Sequence, residues 1–129
     1  MPPTGRRKWV KLWTATLYGS TMKELTPSQR WVWVGLLLLA GDSPEPGVVC
    51  IKQGVPYTRQ QLAKILGVDL RVLENAINRL QAANKVYTSK QRCLVISNWN
   101  HYQGDYERVR RHRERQIGNG GEVTTNETE

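Results

Sequence analysis

Residues 48–99 constrain the fold more than any other stretch, because their local signals change in a set order. Val48-Val49-Cys50-Ile51 is a short apolar run that reads as a strand, and Gly54-Val55-Pro56 reads as a break after it. Thr58 is followed three residues on by Gln61. That spacing predicts a capping box, in which the hydroxyl and the side-chain amide each satisfy a free backbone N–H of the first helical turn. Leu62, Ala63, Ile65 and Leu66 supply the inner face of this helix, and Gly67 ends it. Asp69 is placed to cap a second helix, whose apolar positions Leu70, Leu73, Ala76, Ile77, Leu80 and Ala83 recur at helical spacing. Residues 85–88 and 93–97 are β-prone, and Ser89-Lys90-Gln91-Arg92 joins them as a hairpin loop.

A strand, two helices across a tight turn and a hairpin make up a winged helix-turn-helix. The predicted class is therefore α+β, mainly helical, with an N-terminal arm and a C-terminal arginine-rich helix. Upstream, Thr26-Pro27-Ser28-Gln29 is a second capping box with proline at the first helical position. Its helix is expected to run to about Ala40, with Gly41 at its end. This helix is apolar nearly all round, which predicts burial on more than one side. Gly35 within it either admits a close backbone approach or is merely tolerated. Trp9, Leu12, Trp13, Leu17 and Tyr18 suit a helix or an irregular packed arm. The expected organisation is a disordered lead over 1–7 and the winged-helix domain with its arm over 8–99. A connector and basic helix follow over 100–116, then a disordered acidic tail over 117–129.

The chain has 129 residues and a formal charge of +8. Residues 1–116 hold all 19 Lys and Arg against 8 acids, a net +11, while the rest hold only 3 acids. Such a balance points to a polyanionic partner, either nucleic acid or an anionic membrane surface. The longest apolar run, residues 31–40, is half of the roughly 20 residues a membrane span needs, so no membrane anchor is expected. No apolar run follows the basic start, so no signal peptide is expected. Two cysteines are too few for a disulfide framework and lack zinc spacing. Buried free thiols in a reducing cytoplasm are the simpler expectation, although a winged sheet would pair the strand of Cys50 with that of Cys93. His101 and His112 stand apart from any nucleophile, and no phosphate loop, paired-carboxylate motif or HExxH occurs. No enzyme, no cofactor and no metal site is expected.

With Leu70, Leu73, Ile77 and Leu80 inward, Arg71, Asn75, Asn78 and Arg79 face outward or to the flank. Arginine forks onto guanine and asparagine onto adenine, so these four are the candidates for base contact. Any solvated helix also carries Arg and Asn, and Glu74 would repel phosphate. Lys90 and Arg92 at the hairpin tip and Lys85 at its base are candidates for phosphate contact, or ordinary charges of an edge hairpin. Arg59 belongs to the same set. Residues 47–99 hold eight bases and two acids, a net +6 over one small unit. Arg108, Arg110, Arg111, Arg113 and Arg115 crowd a short polar helix that is either a second DNA contact or a solvated linker. Four of the five tryptophans, Trp9, Trp13, Trp31 and Trp33, lie in apolar-patterned segments and read as core rather than as stacking platforms.

The opening WVKLW, the helix RWVWVGLLLLAG and the pair PYTRQQLAKILG-VDLRVLENAINRL match a known order. The strand-then-tryptophan VISNW and the arginine-rich YERVRRHRERQ complete it. Over residues 8–116 the chain resembles the phage replisome organiser N-terminal family, which is related to the DnaD-type primosome domains. The resemblance implies a winged-helix DNA-binding domain of a phage or prophage replication initiator. Such a protein binds origin DNA in the bacterial cytoplasm and helps bring in the replicative helicase or its loader. By analogy residues 9–39 contribute to a homo-oligomer face. A transcription regulator of the same fold and a protein adaptor using the apolar first helix are the alternatives.

Overall fold

A computed structural model describes residues 8–103. The expected lead, the arginine-rich helix with Arg108, Arg110, Arg111, Arg113 and Arg115, and the acidic tail lie outside those residues. The contacts divide the chain into two units at Ser97/Asn98. The first unit begins with a 3-10 turn at Thr14–Tyr18 and a short helix α1 at Ser20–Glu24. It continues through α2 (Pro27–Gly41), β1 (Val48–Lys52) and β2 (Val55–Pro56). Helices α3 (Arg59–Leu66) and α4 (Leu70–Ala82) and strands β3 (Val86–Thr88) and β4 (Leu94–Ile96) complete it. The described part of the second unit is one turn, α5 (Trp99–Tyr102), in which His101 and Tyr102 meet edge to face at 4.7 Å.

Both capping boxes form. Thr26 Oγ1 accepts from the Gln29 N–H at 3.2 Å and Gln29 Oε1 accepts from the Thr26 N–H at 3.0 Å. Thr58 and Gln61 repeat the arrangement at 3.0 and 2.8 Å. Asp69 behaves differently: its backbone is extended at the start of α4, but its side chain makes no capping bond. Its exposed carboxylate still sits at the positive end of the α4 dipole, an interaction that needs no directed hydrogen bond.

Helix α3 stops in a Schellman turn. Gly67 adopts φ +71°, the Val68 N–H donates to the Ala63 carbonyl at 3.0 Å and the Gly67 N–H to Lys64 at 3.3 Å. Helix α4 stops the same way with Asn84 at φ +61° in place of glycine, and Lys85 N–H donating to Leu80 at 2.8 Å. These two stops turn the chain sharply, first from α3 into α4 and then from α4 into β3.

The core of the first unit is built on α2. Val32, Leu36 and Ala40 on α2 and Leu73, Ala76, Ile77 and Leu80 on α4 are buried, together with Leu62 and Leu66 of α3. Ile65 faces out and Leu70 is partly exposed, so the inner faces of α3 and α4 are narrower than the sequence suggests. Gly35 is a close-approach glycine, because a Cβ there would run into Leu66 Cδ2. The Trp31 indole Nε1 donates to the Leu66 carbonyl at 2.7 Å and ties α2 to the end of α3.

The sheet is antiparallel with order β2-β1-β4-β3. Val49 pairs with Leu94, which pairs with Thr88, while Val48, Val95 and Tyr87 line up on the opposite face. The expected break at Val55-Pro56 is instead β2, which turns back onto β1 through Gln53-Gly54 with a bulge between Cys50 and Lys52. Proline is allowed there because β2 is an edge strand that needs no donor on its outer side. The cysteines are free and buried. No helix among the described residues is long and apolar enough to cross a membrane.

The tryptophans depart from expectation. Trp33 is buried, but Trp9 is 62%, Trp13 41% and Trp31 46% exposed, alongside Leu12, Leu17 and Tyr18. The arm forms only a 3-10 turn and the five-residue α1, neither long enough to fold its own apolar positions under cover.

Candidate nucleic-acid interface

Helix α4 presents two faces. At 3.6 residues per turn, Arg71, Asn75 and Asn78 fall in one stripe opposite the buried Leu73, Ala76, Ile77 and Leu80. All three polar residues are exposed. Glu74 and Arg79 flank this stripe on opposite sides, also exposed. Arg79 differs from its neighbours in donating from a terminal guanidinium nitrogen to the Glu24 carbonyl at 3.2 Å, which ties α4 to the end of α1. The side chains of Arg71, Asn75 and Asn78 form no hydrogen bond or ion pair with any other described residue. Among the described residues the stripe therefore leaves one guanidinium and two carboxamides unengaged, each with the donor geometry that can read base edges.

The last turn of α4 is held on two sides. Within it, Gln81 Nε2 donates to Thr88 Oγ1 at 2.9 Å and anchors α4 to β3. On its other side, Arg30 Nε donates to the carbonyls of Met22 and Leu25 at 2.9 and 3.1 Å, holding α1 against the start of α2. The Arg79–Glu24 bond joins residues 55 apart in the chain, so the role of Arg79 is invisible in the pattern of α4.

The β3–β4 loop is organised by Ser89. Its backbone N–H donates to the Cys93 carbonyl and its carbonyl accepts from Arg92 N–H, both at 2.9 Å. Its Oγ accepts from the Gln91 and Cys93 amides at 3.2 Å. Arg92 takes φ +68°, the strained left-handed region, so the loop holds Lys90, Gln91 and Arg92 outward. Lys85 is half-buried at the far end of the hairpin, where its carbonyl accepts from Ser97 N–H at 2.9 Å. Arg59, in the first turn of α3, is half-buried. The structure thus brings Lys90 and Arg92 together at a tip and Arg71, Asn75 and Asn78 together on a helix. Lys85 lies at the opposite end of the sheet from that tip.

Among the described residues no group of three or more His, Cys, Asp or Glu side chains is placed to hold a metal ion. A family model described as the N-terminal phage replisome organiser matches residues 19–120. No curated protein and no solved structure matches the chain.

Proposed function

The chain belongs to the N-terminal phage replisome organiser family, which ties it to phage replication, and from that premise we propose that it is a winged-helix DNA-binding module of a replication initiator. In this reading α3, the Gly67-Val68-Asp69 turn and α4 are the helix-turn-helix. Helix α4 enters the major groove, and the β3–β4 hairpin is the wing that reaches an adjacent phosphate strand. The module binds origin DNA and helps bring in the replicative helicase or its loader. It needs no catalytic group and no cofactor, and is not an enzyme.

The observation that carries the reading is the uncommitted polar stripe of α4. Arg71, Asn75 and Asn78 stand opposite a fully apolar seam and are unengaged among the described residues. Lysine and arginine supply affinity by displacing counterions from the phosphates, and the stripe supplies discrimination of roughly 1–3 kcal/mol per good base contact. A salt titration of binding to duplex, forked and single-stranded DNA tests it. Affinity is expected to fall steeply with salt, and Arg71→Ala, Asn75→Ala and Asn78→Ala are expected to narrow the gap between origin and unrelated duplex. A log–log slope near zero overturns the reading.

A second reading has its own observation. Trp9, Leu12, Trp13, Leu17 and Tyr18 are exposed on the arm, and Trp31 and Leu38 on α2. Several large exposed apolar side chains in neighbouring segments are the mark of a protein-binding surface. A homo-oligomer face is the occupant this reading favours, alongside DNA binding rather than instead of it. Sedimentation over a concentration series tests it, with Trp9→Ser and Trp13→Ser expected to shift the protein to monomer.

A further inference from the structure

Strand β1 runs antiparallel to β4, with Val49 opposite Leu94. The end of β1 therefore lies beside the beginning of β4. The β1–β2 turn at Gln53-Gly54 and the β3–β4 loop at 89–92 consequently emerge from the same end of the sheet. A direct approach confirms it: a Cβ built on Gly54 would stand 3.6 Å from Gln91 Nε2. Two hairpin tips thus sit side by side.

Their charges are of one sign. Lys52 closes β1 on the first tip, and Lys90 and Arg92 stand on the second. All three are exposed, and none of their side chains has a hydrogen bond or ion pair with another described residue. Glu45, which acts on the Cys93 thiol, is half-buried in the loop that precedes β1. Three uncompensated cations on two adjacent tips repel one another. That arrangement is costly for the free protein and becomes favourable when a polyanion lies across it.

We infer that the β1–β2 turn is a second wing, and that Lys52 joins Lys90 and Arg92 in a two-tipped clamp for a nucleic-acid phosphate backbone. Gln53 and Gln91 supply neutral donors between the cations, which suit phosphate oxygens and carry no sequence preference. The short β2 explains why the second tip exists. Its pairing with β1 folds Lys52 and Gln53 back into a turn beside the β3–β4 loop, where a continuing coil would leave them undirected. The inference rests on the DNA-binding reading and adds a site to it.

The test uses the full chain with a random-sequence duplex and measures the slope of log affinity against log salt. Lys52→Ala is expected to weaken binding to every duplex equally and to lower the slope by about one. Lys52→Ala with Lys90→Ala and Arg92→Ala is expected to lower it by about three. Lys23→Ala, an equally exposed lysine on α1, removes the same net charge and is expected to leave the slope within error of wild type. Thermal melts establish that the variants fold. Wild-type slope in Lys52→Ala, while Arg71→Ala still impairs binding, overturns the second wing and leaves the α4 reading standing. A wild-type chain that binds no duplex at low salt overturns both. Equal losses from Lys52→Ala and Lys23→Ala reduce the clamp to a general charge effect and overturn it.

Discussion

Val49 pairs with Leu94 across the β1–β4 ladder. Carried one residue further, that register sets Cys50 opposite Cys93, just before β4, where the strands would exchange no backbone hydrogen bonds. The parity follows from Ile96 N–H donating to Gly47 across the same ladder, and from the Cys93 carbonyl turning away to accept from Ser89. Opposed residues at such positions approach to about 4.5 Å between Cα atoms, within the range a disulfide spans. Both cysteines are buried, and Ser43 Oγ lies 3.3 Å from Cys50 Sγ.

Mild oxidation with diamide is therefore expected to join the two cysteines within one chain. Two thiol protons and two electrons pass to the azo bond, giving a hydrazine and one disulfide. Mass spectrometry is expected to show the loss of two hydrogens and a Cys50–Cys93 crosslinked peptide, which Cys50→Ser abolishes. The oxidised protein gains about 2–4 kcal/mol from the closed loop. Thiols that stay free in the native protein, under conditions that oxidise the unfolded chain, contradict this register.

Burial raises the Cys93 thiol above its ordinary value of 9.0, with Cys50 and Glu45 adding to the effect and the Ser89 hydrogen bond opposing it. The folded state therefore holds the Cys93 proton more tightly than the unfolded chain. The associated stability is complete below the ordinary thiol value and is lost as pH rises through the raised one. Denaturant midpoints of the wild type are expected to fall on the alkaline side of pH 9.0, and Cys93→Ala is expected to flatten that limb. Parallel profiles for the two proteins would contradict it.

Gly35 and Leu66 pack so closely that a side chain at 35 has nowhere to go. Gly35→Val is expected to destabilise by about 1–3 kcal/mol through overpacking, which outweighs the gain of roughly a few tenths of a kcal/mol that valine has over glycine in helix propensity. Gly35→Val with Leu66→Ala is expected to recover part of the loss relative to the sum of the single variants. Strict additivity in urea unfolding would show that the two positions do not touch.

Arg79 and Arg71 are both exposed on α4, yet only Arg79 is engaged within the described structure. Arg79→Ala is expected to lower stability by about 0.5–1.5 kcal/mol through loss of its bond to Glu24. Arg71→Ala is expected to leave the melting temperature unchanged and to weaken DNA binding more. The reverse ranking would place Arg79, not Arg71, at the interface.

How far the sequence can be read here depends on how far apart the interacting groups lie. Thr26 with Gln29 and Thr58 with Gln61 each close their hydrogen bonds within four residues, so the chain's own order announces both helix starts. Gly67 and the spacing of Leu73, Ala76, Ile77 and Leu80 are legible for the same reason, and they yield the stripe of Arg71, Asn75 and Asn78 by subtraction. The exposure of Trp9, Trp13 and Trp31 was not legible, because burial depends on whether a distant segment comes to lie over a side chain. Strand β2 reads as a break in the sequence, because Pro56 argues against a strand unless its position at a sheet edge is known.

By itself the sequence determined where α2, α3 and α4 start and stop, which residues of α4 face away from its seam, and the family order of the elements. The tertiary structure alone decided that Arg79 is engaged by Glu24, and that Lys52 joins Lys90 and Arg92 at one end of the sheet. The reason is physical. Capping and periodicity are interactions between near neighbours along the chain, whereas strand pairing and coverage are set by segments that meet only after the backbone has turned.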